Sequence, residues 1–248
     1  MGAATLIKPS EKAVRRRIYL MRHGAVTYFT PEGAAIPPDG VPLNVAGITQ
    51  AEAAGRLFAQ HGVNFDRVIV SGLPRTIQTA ERLLAQLEST STMEHRPALR
   101  EIRAGKLRDI PKHELRESFL SVLHGTASLD TKFMGGESVG ELLDRVLPEI
   151  EELRQDPGWS TLLLVLHGGV NRAILSYLLS GQRTMMGGFE QSPACINVID
   201  VGVAPRDVIL RATNLSPTDW LQHNIRSSTM ELLFGQYASS SAKVSGAE

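Results

Sequence analysis

The sequence predicts a three-layer α/β/α sandwich with a mostly parallel central sheet, and three observations lead to it. Apolar runs of strand length alternate with amphipathic helical segments. Two of these runs, Ile18-Tyr19-Leu20-Met21-Arg22-His23-Gly24 and Leu162-Leu163-Leu164-Val165-Leu166-His167-Gly168-Gly169, end in His-Gly. A third run ends at Ser71 and leads through Pro74-Arg75 into a helix. Open α/β sheets bind ligands beyond the carboxyl ends of their strands, so these endings mark a candidate pocket.

The elements follow in order. Residues 1–14 are expected to form a flexible leader. The first strand covers about 17–22, and a Pro/Gly-rich loop runs from Thr30 to Pro42. The spacing predicts a helix over Gly47–His61 with Ile48, Ala51, Ala54, Leu57 and Phe58 inward. Asp66–Ser71 is a short apolar strand. Pro74 suits the first turn of a helix running to about Leu87, with Ile77, Ala80, Leu84 and Leu87 on one face. Residues 100–135 are mixed, with helical stretches that have no clear limits.

Ser138–Arg154 is the clearest helix. Ser138 and Glu141 have capping-box spacing, and Val139, Leu142, Leu143, Val146, Leu147, Ile150 and Leu153 form an apolar stripe. Pro148 is expected to kink or break it. Strand 161–166 is apolar throughout, as a central parallel strand should be, and a helix over 169–180 follows. Cys195–Val201 and Val208–Ala212 read as two more strands, a hairpin at one side. The Ala/Ser-rich stretch from residue 236 to 248 is expected to be a flexible tail. Between the ends there is no repeat and no linker, so residues 15–235 form one domain.

Composition narrows the function. The chain has 248 residues, 42% hydrophobic and 21% charged, as in ordinary globular domains. Lys+Arg and Asp+Glu are both 26, which gives no support for a nucleic-acid or anionic-membrane partner. No apolar run is long enough to span a bilayer. Cys195 is the one cysteine, so an internal disulfide is excluded and no cysteine cluster offers a zinc site. The expected location is the cytoplasm. No cofactor and no metal are expected, and a homodimer is left open.

The chemistry suggested by the strand ends is phosphoryl transfer, which needs a nucleophile, charge neutralisation and a proton for the leaving group. A neutral His23 can be the nucleophile. Arg22 and Arg75 can donate paired, charge-assisted hydrogen bonds to phosphate oxygens, and His167, if protonated, adds another donor. Glu101 can protonate the leaving oxygen if its proton is held by burial or taken up after substrate binds. Helix N-termini after Gly24, Leu73 and Gly168 can contribute backbone N–H donors. His61, His95, His113, His124 and His223 stand outside any such pattern. Of these, His113, in a basic stretch, is the candidate for touching substrate.

These residues resemble the histidine phosphatase superfamily, the phosphoglycerate mutase-like fold, from about Arg17 to Leu221. Arg22-His23-Gly24 is similar to the family's Arg-His-Gly signature. Pro42 to Ala51 and Ser71 to Ala80 resemble two further segments, and Gly136-Glu137-Ser138 and His167-Gly168-Gly169-Val170 complete the series. The resemblance implies a phosphate pocket of Arg22, His23, Arg75 and His167, phosphorylation of His23, and a proton donor at Glu101.

The chain also departs from the pattern. Ala25-Val26 precede Thr27, which leaves a substrate-binding role for Thr27 open, and Asn44 stands where Thr or Ser is usual, as a helix cap. After Glu101 the basic Arg103, Lys106 and Arg108 replace an acidic segment, either extending the anion site or forming a solvated face.

The resulting expectation is a metal-independent phosphomonoester hydrolase, of the histidine acid phosphatase type, acting on a small phosphorylated metabolite. The rival within the family is phosphoglycerate mutase-type transfer, whose dedicated enzymes carry a longer insertion than 102–135. A phosphate-binding protein without turnover and a metallohydrolase using His23 and His167 are the rivals from other classes. The latter lacks nearby carboxylates of ligand spacing.

Overall fold

The computed structural model describes residues 15–30, 34–87 and 91–245, with side chains for all of these except 108 and 240–245. The expected leader, 1–14, lies outside the described residues. In chain order the elements are β1 (Arg16–Arg22), α1 (Val45–Gln60), β2 (Arg67–Val70), α2 (Pro74–Leu84), β3 (Met93–His95), α3 (Leu115–Leu120) and β4 (Thr126–Ala127). They continue with α4 (Val139–Gln155), β5 (Thr161–Leu166), α5 (Gly168–Ser180), β6 (Met185–Met186), β7 (Ile196–Val201), β8 (Val208–Leu215) and α6 (Thr229–Ser245).

The main sheet has the order β3-β2-β5-β1-β7-β8. Strands β3, β2, β5 and β1 are parallel, while β7 runs antiparallel to β1 and β8 antiparallel to β7. The hairpin expected at one side is therefore present. Alternation along β5 builds the layers. Leu162, Leu164 and Leu166 pack with Leu142 and Leu143 of α4 and Ala173 and Ile174 of α5. Leu163 and Val165 pack on the other face with Ala54 and Phe58 of α1 and Ala80 and Leu83 of α2. A strand buried on both faces needs an unbroken apolar run, which β5 has.

Local chemistry fixes the helix ends. Asn44 caps α1, its Oδ1 accepting from the Gly47 N–H at 2.9 Å. Ser138 and Glu141 complete both halves of the capping box that opens α4. The helix continues through Pro148 instead of breaking there, because Val146, Ile150 and Leu153 on either side are fully committed to the core. Gly55 is where α1 and α2 touch: a Cβ there would lie 2.4 Å from the Leu83 carbonyl oxygen.

Four expectations are corrected. Leu57 is 38% exposed, because Ala54, Gly55 and Phe58 already fill the close contact with α2. Helix α2 stops at Leu84, and β8 runs on to Leu215. The segment read as a tail from 236 is helical as far as Ser245, and Tyr237 packs on the Phe119 ring at 5.8 Å between centroids. Residues 246–248 lie outside the described ones. The region 100–135, which had no clear limits, resolves into α3, short 3₁₀ turns and β4, which pairs with β6 in a second small sheet. Among the described residues no helix is long and apolar enough to cross a membrane.

Candidate active site

Register brings the sequence-predicted residues together. Arg22 of β1 lies opposite Leu166 of β5, and Val70 of β2 opposite Val165 of β5. One step further along each strand come His23, His167 and Ser71. The His23 N–H bonds the Leu166 carbonyl at 2.9 Å, and the two imidazoles stand 5.3 Å apart between centroids, edge to face. Arg75 arrives from the first turn of α2, where Pro74 sets the entry.

The tautomers follow from the partners. His23 Nδ1 lies 2.7 Å from the Gly24 carbonyl oxygen, which only accepts, so Nδ1 carries the proton and Nε2 keeps its lone pair. His167 Nε2 lies 2.8 Å from Ser71 Oγ. Ser71 Oγ is 3.1 Å from Thr76 Oγ1, whose own proton goes to the Leu73 carbonyl at 2.8 Å. Read in that direction, Ser71 donates to Thr76 and accepts from His167 Nε2–H. His167 Nδ1 is then buried, with no partner among the described residues.

Both rings are buried, and burial lowers both pKa values well below the ordinary histidine range. Arg22 and Arg75 lower His23 further, while Arg75, His23 and Arg22 lower His167. His23 is thus neutral, as a nucleophile must be. The same shift makes His167 neutral in the free protein. The protonated donor expected from sequence arises only when an anion beside Nδ1 offsets the arginines.

The two guanidiniums are each tied by one arm. Arg22 Nη1 donates to the Gln191 carbonyl at 2.5 Å, and Arg75 Nη1 donates to the Pro38 carbonyl at 2.6 Å. The Nε atoms of both are buried without a partner among the described residues. Unpaired buried polar atoms are rare and costly; Arg22 Nε and Arg75 Nε are such donors, and His167 Nδ1, a lone pair in the neutral ring, becomes a third donor only on protonation. Together they suit a tetrahedral oxyanion.

Glu101 reaches the same place from a different segment. Its Oε1 accepts from the N–H groups of Ile102 at 3.0 Å, Gly169 at 3.1 Å and Val170 at 3.3 Å, and its Oε2 accepts only from Gly169 at 3.1 Å. The carboxylate therefore takes donors at the start of α5 that sequence reasoning had assigned to phosphate. Oε2 is the oxygen left with a spare lone pair.

Arg145 clamps the backbone beside it, donating to the carbonyls of Ala98, Arg100 and Glu101 at 2.6, 2.7 and 3.1 Å. Glu137 orients Arg145 through paired contacts of 2.8 and 2.9 Å. Burial opposes ionisation of Glu137, yet Arg145 and the Arg103 N–H hold its carboxyl below the usual range. This pair gives the Gly136-Glu137-Ser138 segment its physical role.

The remaining expected residues differ among themselves. The Gly24 N–H donates to Thr79 Oγ1 at 3.0 Å, and no helix starts after Gly24, so its amide is already committed within the chain. Gly24 is needed for space instead: a Cβ there would meet the Gly47 carbonyl oxygen at 2.5 Å. Gly168 opens α5, and a Cβ there would lie 3.7 Å from Arg22 Cζ. Thr27 is exposed and its hydroxyl accepts from Asn44 Nδ2 at 3.3 Å. Arg103 pairs with Glu137, Lys106 is exposed, His113 pairs with Glu114, and the Arg108 side chain lies outside the described ones.

Sequence reasoning missed the support residues. Gln191, Asn197 and Asn171 are fully buried and hydrogen-bonded to one another, and Asn197 Nδ2 donates to the Leu20 carbonyl at 2.8 Å. They steady the end of β1 and the carbonyl that holds Arg22. Cys195 lies within this group, and burial pushes its thiol up to about 12. Among the described residues no group of three or more His, Cys, Asp or Glu side chains is placed to hold a metal ion.

A model of the histidine phosphatase superfamily (branch 1) matches residues 18–211. The human 6-phosphofructo-2-kinase/fructose-2,6-bisphosphatase 1 is 31% identical over 166 residues, which cover 66% of this chain and 33% of that protein. The chain thus spans about a third of the length of that relative. A 2,3-bisphosphoglycerate-dependent phosphoglycerate mutase of Rhizobium etli is 29% identical over 162 residues, 63% of this chain and 77% of the mutase.

Among solved structures, an alpha-ribazole phosphatase from Shigella flexneri superimposes with a TM-score of 0.61 at 23% identity, covering 80% of this chain and 96% of that one. A phosphoglycerate mutase from Bacillus anthracis gives 0.59 at 19% identity, covering 86% and 98%. These two likenesses establish the fold.

Proposed function

The chain belongs to the histidine phosphatase superfamily, branch 1, and from that premise we propose that it hydrolyses phosphomonoesters, without a metal, through a phosphohistidine on His23. The observation that carries this reading is the pair of buried, unpartnered donors Arg22 Nε and Arg75 Nε, on residues that act electrostatically on an imidazole whose proton is fixed on Nδ1, with the unpartnered His167 Nδ1 able to join them once protonated.

His23 Nε2 attacks phosphorus as the bond to the ester oxygen breaks. Glu101 Oε2 delivers a proton to that oxygen, and the alcohol leaves. The Glu101 carboxylate then takes a proton from a water that attacks the phosphohistidine, releasing inorganic phosphate and restoring His23. Arg22, Arg75 and His167 hold the equatorial oxygens, where charge is concentrated in transfer.

The test is to trap the adduct. Quenched reactions should show a base-stable, acid-labile phosphoryl group on His23. His23→Ala should remove it and lower turnover by at least about 10⁴-fold, since a covalent nucleophile has no substitute. Normal turnover in that variant overturns the mechanism. A label that passes to phosphoglycerate instead of water replaces hydrolysis with mutase-type transfer.

A further inference from the structure

Beside the phosphate site lies a small cavity of about 40 Å³ whose edge is formed by Arg22, Glu101 and the Gly168–Gly169 turn. Its walls are Ile102, Val122, Leu123, Phe133, Met185 and Met230. The leaving group of any ester bound at Arg22 and protonated by Glu101 has to lie on this side, because the Glu101 carboxyl is part of the rim.

The charge inventory of the cavity is short. Among the described residues lining it, the cations are Arg22, which the phosphate takes, and Arg172. Arg172 is already spent: Nε donates to the Gly187 carbonyl at 3.2 Å, Nη1 to the Gly168 carbonyl at 3.2 Å, and Nη2 to Glu190 Oε2 at 3.1 Å. A second anionic group on the substrate would lose its hydration here without gaining a free cation. An apolar group would exchange water for thioether, aromatic and aliphatic surface.

The wall is held in place. Glu190 Oε1 accepts from the Thr229 N–H at 3.2 Å and from its hydroxyl at 2.5 Å, which fixes the first turn of α6 and with it Met230. Phe234 and Tyr237 of the same helix pack on Phe119 of α3. The cavity is therefore closed by a segment far along the chain that is locked both to Arg172 and to the core.

We propose that this cavity receives the alcohol part of the substrate and selects a small apolar one, so that the preferred substrate is a phosphomonoester of a short alkyl alcohol and not one bearing a second phosphate or a carboxylate. The proposal rests on the reading of the site as a phosphoryl-transfer pocket, but its test does not need turnover. Non-hydrolysable methyl-, ethyl- and propylphosphonate, with phosphonoacetate as the carboxylated counterpart, are titrated into the full chain by calorimetry. Affinity should rise about fourfold per methylene added, the value for burying one such group, and phosphonoacetate should bind at least tenfold more weakly than propylphosphonate.

Met230→Lys, checked for an unchanged melting temperature, should flatten the alkyl series and improve phosphonoacetate binding. If that variant is unstable, Met230→Ser should still flatten the series. A flat alkyl series in the unaltered protein, tighter phosphonoacetate binding, or no phosphonate binding at all overturns the proposal, whether or not phospho-His23 forms. A steep series in a protein that never forms phospho-His23 upholds the cavity's selectivity and overturns the hydrolase reading instead.

Discussion

The phosphate pocket and the leaving-group cavity share Arg22 and the start of α5, yet they are built in opposite ways. The pocket hangs on the in-register ends of β1, β5 and β2, with His23 and His167 at 1% and 0% exposure and a backbone or hydroxyl partner for each ring. Apart from the shared residues, the cavity is assembled from five separate stretches: the turn after Glu101, the 3₁₀ turn that follows α3, the 3₁₀ turn at Phe133, the β6 strand, and the first turn of α6. Sheet hydrogen bonds fix the first to within a rotamer, whereas side-chain packing and the Glu190–Thr229 contact fix the second. On the proposed reading, reactivity sits where sheet hydrogen bonds place the groups, and selectivity where side-chain packing does. That division is what loops on a rigid scaffold generally provide.

The sharpest way to break this division is at Arg75. Its Nε is buried and free for the phosphate, and its Nη1 is fixed to Pro38. Arg75→Ala should lower kcat by about 10²- to 10³-fold, the usual loss for one preorganised oxyanion donor, with a smaller change in KM. Steady-state kinetics on one good substrate decides it. A rise in KM with unchanged kcat would make Arg75 a binding residue of the same kind as those in the cavity.

Glu101 stands on the boundary between the two regions, and its effect should depend on the leaving group. Glu101→Gln should slow phosphorylation of His23 by alkyl phosphates about 10²-fold more than by p-nitrophenyl phosphate, whose leaving group needs no proton. Single-turnover rates on both substrates measure it. Equal losses would mean that Glu101 acts by holding the first turn of α5 through Gly169 and Val170, not by proton transfer.

The smallest effect concerns pH. The folded pKa values of His23 and His167 lie well below the ordinary value of about 6.5, chiefly through burial. An unfolded chain then binds protons that the folded one refuses. The stability these rings allow is complete above about pH 6.5 and declines as pH falls toward their folded values, by up to about 1.4 kcal/mol per pH unit for each histidine. Urea melts at pH 7, 6 and 5 should show the slope, and His167→Gln should cut it by about half. An unchanged slope would mean that the pocket accepts protons as readily as an exposed surface does.

The contrast also explains what the sequence made legible. His23, His167 and Arg75 were readable because each follows a strand with a clear apolar run, and strand ends are short-range signals. The network behind them was not. Gln191, Asn197 and Asn171 matter only through partners brought together by the fold. Ser71 announces itself as the end of a strand but not as the partner of His167. Strand β3, Met93–His95, is a three-residue edge with Glu94 salt-bridged to Arg67, so it lacks the apolar run of an inner strand. Helix α6 was missed because its Ala/Ser-rich second half resembles a solvated tail, while Met230, Leu233, Phe234 and Tyr237 on its buried side find their partners far away in sequence, among them Phe119 of α3 and Phe29.

The sheet order has a consequence for biosynthesis. The strand that leads into His23 comes before the others of the main sheet in the chain but sits between β5 and β7, both made well after it. A nascent chain that stops short of Thr161 has α1, β2 and α2 but nothing on either side of Arg16–Arg22 to pair with. Long-range pairing of this kind is slow and exposes apolar strands in the meantime. The pairing that restrains His23, including its N–H bond to the Leu166 carbonyl, thus cannot form until β5 has been made.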